Sequence, residues 1–214
     1  QSIATDLDPD WVWIKGRSDA TSHITIDTIR GDKQLVTNST AAEVDLSAHI
    51  NLTTTGFDLL SSTTGLNGTG RTYAAWKAGG TASSNTNGTI TSSVSANAAA
   101  GFSIVKWSGN ETNGATVGHS LTTAPSVILT KCMTSASSWI YGIGGMSGLG
   151  VNDYLTLQTT LAKSSTTTFY QAYSANTFQV GVSAASEMNR TGKDYISYCF
   201  HNVDGYLKTG SYVG

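Results

Sequence analysis

Proline is nearly missing from this chain, with 2 in 214 residues, and charge is scarce: Asp, Glu, Lys and Arg together make up 12%. An ordinary globular domain carries about twice that share. So sparse a supply rules out ion-pair networks as the main source of stability. A net charge of −2 argues against a duplex nucleic-acid partner, because such binding releases counterions through clusters of Lys and Arg. The densest basic stretch, Trp13 to Arg17, holds only Lys15 and Arg17. No apolar run approaches the ~18 residues of a membrane-spanning helix, and no basic amphipathic helix is legible. No signal peptide is visible. The chain opens at Gln1 rather than Met, so a processed product or a segment of something longer is expected. Cysteine occurs twice, at Cys132 and Cys199. Sequence alone leaves a disulfide open. The expectation is two buried thiols in a protein made in a reducing cytosol.

Ser and Thr fill the space that charge leaves, at roughly a quarter of the chain, and tilt it toward strands and turns. Disordered chains combine low hydrophobicity with high net charge. Here 39% of residues are apolar, and five Trp and nine Tyr are spread along the length, so the chain reads as folded and β-rich.

Short strands alternate with turn signals. Trp11, Trp13 and Lys15 alternate with Val12 and Ile14, as on a strand buried on both faces. Tyr195, Ser197 and Cys199 alternate with Ile196, Tyr198 and Phe200. Asn-Gly, Gly-Thr-Gly and Gly-Gly punctuate the runs. The one helix signal is Thr40-Ala-Ala-Glu43, shaped like a capping box.

The chain also repeats itself. Pro9-Asp-Trp-Val-Trp-Ile-Lys15 aligns with Pro125-Ser-Val-Ile-Leu-Thr-Lys131 at an offset of 116. Leu35 to Ala42 aligns with Leu155 to Ala162, and Thr55 to Leu59 with Asn176 to Val180. Asn67-Gly-Thr-Gly-Arg-Thr-Tyr-Ala-Ala-Trp76 aligns with Asn189-Arg-Thr-Gly-Lys-Asp-Tyr-Ile-Ser-Tyr198 at an offset of 122. A growing offset is the mark of two copies with loop insertions. Gly101-Phe-Ser-Ile-Val-Lys-Trp-Ser-Gly109 is echoed by Gly205-Tyr-Leu-Lys-Thr-Gly-Ser-Tyr-Val-Gly214. The fold expected is therefore all-β, with two tandem related β-sandwich repeats of roughly 100 residues, lectin-like or of jelly-roll type. Residues 1–80 form the first repeat, without its N-terminal strand region. Residues 81–100 are a connecting strand or linker, residues 101–204 the second repeat, and residues 205–214 the start of a further one. Pro9, Trp11, Trp13, Lys15, Tyr73, Trp76, Pro125, Lys131, Tyr195 and Tyr198 define the repeat, with Tyr73 and Tyr195 at equivalent positions.

No residue pattern points to catalysis. Glycosidases need two carboxylates flanking one bond, and acids are sparse here. Asp6, Asp8 and Asp10 alternate, but Pro9 interrupts them and the spacing is not that of a calcium loop, so a solvated loop is expected. His23, His49, His119 and His201 lack metal-ligand spacing. His119 reads as a turn histidine bonded to backbone. Ser147, in Gly145-Met-Ser-Gly148, lacks the second glycine of a nucleophile elbow. The sequons at Asn38, Asn51, Asn67, Asn87, Asn110 and Asn189 modestly exceed the roughly three this composition gives by chance, and the repeat explains Asn67 and Asn189, so no glycosylation is inferred. No cofactor or metal is expected. Of the aromatics, Trp11, Trp13, Tyr73, Trp76 and Tyr195 fall in strand patterns and read as core. Trp139 and Tyr141 fall where the second copy departs from the first and are expected as exposed ligand-contact residues.

Several stretches carry a resemblance. Pro9-Asp-Trp-Val-Trp-Ile-Lys-Gly-Arg17, Asp27-Thr-Ile-Arg-Gly31, Thr55-Gly-Phe-Asp-Leu59 and Tyr73-Ala-Ala-Trp-Lys-Ala-Gly-Gly80 resemble a repeat module of phage tail-fibre-like proteins of marine and cyanobacterial phages. So do Asn87 to Asn97, Gly101 to Val105, Thr116 to Leu121, and Tyr198-Cys-Phe-His-Asn-Val-Asp-Gly-Tyr206. The resemblance implies a lectin-like β-sandwich on the virion surface, a homo-oligomer such as a trimer, and contact with other virion proteins or host-surface glycans. The function expected is that of a non-enzymatic structural and adhesive protein in a tail fibre or similar appendage. The alternatives are a capsid decoration or spacer without ligand, and a carbohydrate-binding module of a larger secreted protein.

Overall fold

A computed structural model describes residues 1–5, 7–17, 20–60, 66–67 and 71–212, with the backbone alone at Arg71, Tyr73 and Ala75. Strands come first in two groups. The first group is β1 (Ser2–Ala4), β2 (Trp11–Gly16), β3 (Ile24–Asp27), β4 (Gly31–Val36), β5 (Val44–Asp45), β6 (Ile50–Thr53), β7 (Gly56–Leu59) and β8 (Arg71–Trp76). The second is β9 (Ser83–Asn85), β10 (Ser92–Asn97), β11 (Phe102–Ser108), β12 (Ala115–Gly118), β13 (Val127–Cys132), β14 (Ile140–Gly142), β15 (Asp153–Thr156), β16 (Ser164–Ser165), β17 (Tyr170–Tyr173), β18 (Thr177–Val180) and β19 (Asp194–Phe200). The one helical element described is a 3₁₀ turn at Ala98–Ala100, closed by Gly101 at φ 71°. Thr40 to Glu43, which carry the capping-box signal, form no helix. The protein is all-β.

The first group forms a five-stranded sheet, β5-β4-β3-β2-β8, and a three-stranded sheet, β1-β7-β6. The second forms an eight-stranded sheet, β16-β15-β14-β13-β19-β11-β10-β9, and a three-stranded sheet, β12-β18-β17. The second group thus runs through the strand order of the first and extends it by three strands beyond β19. Pairing within these sheets is antiparallel throughout.

Alternation along each strand builds three cores. Val12, Ile14, Ile24, Ile26, Phe57 and Leu59 close the first sandwich. Val105, Trp107, Ile128, Phe178, Tyr195 and Cys199 close the second. The opposite faces of the two large sheets pack on each other through Trp11, Leu35, Phe102, Ile104, Leu129, Trp139 and Tyr198. The result is four stacked layers, of three, five, eight and three strands. This is why β2, β13 and β19 have no polar face: each separates two cores.

Residues 81–100, expected as a connecting strand or linker, contain β9 and β10, so the eight-stranded sheet starts there. The segment looks like a linker because it is rich in Ser, Thr, Asn and Ala. Its hydroxyls in fact bond inward: Ser95 Oγ accepts from Gly79 N at 3.0 Å, and Ser92 Oγ donates to Gly118 O at 2.8 Å. Residues 203–207 form a turn closed by a bridge between Val203 and Leu207, and no strand follows among the described residues. Tyr73 and Tyr195 are not in register. Tyr73 faces Ile14 and Tyr195 faces Cys132. With Lys15 matched to Lys131, Tyr73 takes the place of Ser197, a slip of one pleat that keeps the face of the sheet.

Candidate functional site

The packing of the two large sheets is dominated by rings. Trp11, at the start of β2, stacks on Trp76 of the adjacent β8 with centroids 4.3 Å apart, and on Tyr198 of β19 at the same separation. Phe102 lies 5.6 Å from Trp11 and 4.9 Å from Phe200. Offset stacks at these distances contribute ~0.5–1.5 kcal/mol per pair beyond area burial. One end of this ladder opens to solvent. There Trp13, Trp76, Tyr141 and Phe200 are half-buried around a cleft of about 340 Å³, with Lys208 and Thr209 at its rim. Burial raises the Tyr141 phenol above its ordinary pKa. A larger groove of about 560 Å³ lies where Thr28 and Thr81 meet the face of β10 and β11, lined by Ser84, Ser93, Ser108 and Lys106. It offers hydroxyls but no exposed ring. The aromatic cleft is the site where flat apolar faces and water-facing polar groups converge.

The expected contact residues separate here. Tyr141 is in the cleft. Trp139 is not exposed at all: its side chain is fully buried, its indole N–H donates to Val36 O at 3.0 Å, and its ring stacks near Tyr198 at 6.4 Å. It pins the second unit to β4 of the first, and its expected contact role is withdrawn. Trp13 and Trp76, expected as core, pack against the shared core and also line the cleft, with Trp11 beneath them as floor. Pro9 and Pro125 are buried just ahead of β2 and β13. Lys15 is half-buried and donates to Thr21 O at 2.9 Å. Lys131 is fully buried, and its ammonium donates to Cys132 O, Ser135 O and Ser137 Oγ at 2.8–3.3 Å. Burial lowers its pKa to about 8. Cys132 and Cys199 are free and buried in the second sandwich core, and burial pushes the Cys199 thiol up.

The stretch Asn189-Arg-Thr-Gly192 is a structural device ahead of β19. Asn189 has φ 55° and is fully buried; its Oδ1 accepts from Asn110 N, and its Nδ2 donates to Thr112 O, both at 2.9 Å. Gly192, at φ 72°, completes the turn that launches β19. Tyr195 closes the corner by accepting from Arg190 N at 3.0 Å and donating to Ser186 O at 3.2 Å. In the first copy Gly68, Thr69 and Gly70, like the side chain of Tyr73, lie outside the described residues.

Charge at the interface between units is concentrated in one buried cluster. Asp27 and Arg30 pair at 2.6 Å with side chains 0% and 1% exposed. Tyr198, from the second unit, donates to Asp27 Oδ2 at 2.6 Å and accepts from Arg30 Nη2 at 3.2 Å. Burial alone would lower the Arg30 pKa; the charge of Asp27 and the contact with Tyr198 more than offset it, and the net shift is upward. Sequence reading found the Asp-Thr-Ile-Arg-Gly stretch but not this role, whose one local signal was a carboxylate and a guanidinium three residues apart. Asp10 is also buried rather than solvated: its Oδ2 accepts from Ala78 N at 2.7 Å and its Oδ1 accepts from the Thr28 hydroxyl at 3.2 Å. Asp6 lies outside the described residues. His119 is fully buried; Leu121 N–H donates to its Nδ1 at 3.1 Å, which places the proton on Nε2, facing Ser174 O at 3.1 Å. Among the described residues no group of three His, Cys, Asp or Glu side chains is arranged to hold a metal.

An all-β protein of paired sandwiches, joined face to face and open at an aromatic cleft, is the class that fold and site define. The chain belongs to the family described as domain of unknown function DUF7483, which matches residues 1–214. No curated protein and no solved structure matches it.

Proposed function

We propose that this protein is a non-enzymatic structural and adhesive module of a virion, part of a phage tail fibre or similar appendage, and that its aromatic cleft takes a glycan of the host surface. The observation that carries the reading is the cleft. Trp13, Trp76 and Tyr141 are held half-exposed by strands rather than loops, and flat rings on rigid elements suit the apolar faces of sugar rings. Lys208 and Thr209 at the rim supply donors for hydroxyls. The buried charged and polar groups Asp10, Asp27, Arg30, His119 and Lys131 spend their bonds on the fold, which leaves the cleft to bind rather than to react. On this reading the two strand groups are copies of one module, and the protein works as a homo-oligomer alongside other virion proteins.

Two experiments test it together. A glycan array probed with labelled protein should show binding that Trp13→Ala abolishes, and immunogold labelling of particles should fall on tail tips or fibres. Label confined to the head, with an array that stays blank, would replace adhesion with capsid decoration.

A further inference from the structure

In the second strand group β19 is flanked on both sides, by β13 and by β11. In the first, β8 holds the corresponding place beside β2, yet among the described residues β2 is its one strand partner. Among the described residues the outer edge of β8 carries no strand, and an edge of that kind is a template for another strand. A strand of the right kind exists in the chain itself. Residues 205–214 echo residues 101–109, of which Phe102–Ser108 are β11: each begins Gly-aromatic and places a second aromatic near the closing Gly. Through residue 212 the segment joins no sheet; its Tyr206 is 73% exposed and its Tyr212 is 93% exposed.

We infer that the edge of β8 accepts residues 205–212 of a second copy as an antiparallel strand, in the manner of β11 on β19. The register follows from pairs already present. Phe102 faces Phe200, and Trp76 holds the place of Phe200, since Trp76 pairs with Trp11 as Phe200 pairs with Val127. Tyr206 of the second copy then lies against Trp76, a ring left half-exposed, and repeats the 4.9 Å stack of Phe102 on Phe200. Two residues on, Lys208 faces Ala74. The bonds at stake are these: Thr209 Oγ1 donates to Ser126 Oγ at 2.8 Å and to Asn202 Oδ1 at 2.9 Å, Thr209 N donates to Asn202 Oδ1 at 2.7 Å, Tyr206 N donates to Val203 O at 3.1 Å, Lys208 pairs with Asp204 at 3.7 Å, and Val203 bridges Leu207. Donor and acceptor are different surfaces, so copies either exchange segments reciprocally in a two-fold dimer or continue head to tail. The contact would cover Trp76 and draw Lys208 and Thr209 away from the cleft, so strand addition and glycan binding compete for the same residues.

The test mixes two full-length single variants, Ala74→Cys and Lys208→Cys, under mild oxidation. Both positions are exposed, and the native Cys132 and Cys199 are fully buried and silent. Facing residues of an antiparallel pair sit ~4.5–5.5 Å apart at Cα, within disulfide reach. The expected result is a disulfide-linked heterodimer several-fold above that of Lys208→Cys mixed with Leu161→Cys, an exposed position far from β8 in sequence. A synthetic peptide of residues 205–214 should suppress it. A heterodimer yield equal to the Leu161→Cys control, or one the peptide leaves unchanged, overturns the inference.

Discussion

Tyr198 donates a hydrogen bond to Asp27 and accepts one from Arg30, so one hydroxyl completes a buried ion pair contributed by the other unit. Tyr198→Phe keeps the ring stack on Trp11 and leaves both charged partners one bond short. Loss of a buried hydrogen bond to a charged group costs ~1.5–3 kcal/mol, and that is the drop expected in urea denaturation. Asp27→Ala strands a buried guanidinium and should cost more, ~3–5 kcal/mol. His119 sets a pH dependence. Burial, with a smaller effect of His201, lowers its pKa from 6.5 to about 4. The unfolded chain therefore binds the proton first as pH falls. The stability His119 contributes is complete above about pH 6.5 and is lost toward pH 4, about 3 kcal/mol in all at ~1.36 kcal/mol per pKa unit. His119→Asn keeps an acceptor for Leu121 N–H and removes the titration, so its stability should vary less between pH 7 and pH 4, measured by denaturant midpoints.

At the scale of elements, the strands that stand between two cores were the legible ones. Trp11 to Lys15 and Val127 to Cys132 each follow a proline and read as double-sided strands, because burial on both faces leaves apolar residues at successive positions. Residues 81–100 left strand and linker both open, because two of the four buried residues of β9 and β10 are Ser, and a serine bonded to backbone cannot be told by type from one in a linker. Amide hydrogen exchange checks the placement: Ser92 to Asn97 should be protected to nearly the same degree as β19, whereas exchange at loop rates would return the segment to a connection. Trp139 was misjudged for a related reason. What buries it, the Val36 carbonyl and the Tyr198 ring, comes from elements distant in sequence, and no local pattern records it. Tyr141, in β14, was expected as an exposed contact residue; the structure leaves it half-buried at the margin of the cleft.

For the whole molecule, the central claim is that joining two sandwiches face to face creates a binding cleft at the margin of their shared aromatic core. Neither unit has it alone: Trp13 and Trp76 come from the five-stranded sheet, Tyr141 and Phe200 from the eight-stranded one. The five tryptophans divide by environment in a way one spectrum can read. Trp13 and Trp76 are half-buried, while Trp11, Trp107 and Trp139 are buried. The most direct test is an NMR titration that follows the five indole N–H signals while host-surface oligosaccharide is added. The account predicts that Trp13 and Trp76 shift in a saturable way and that Trp107 and Trp139 stay fixed. Signals that never move, or shifts confined to Trp107 or Trp139, would contradict it.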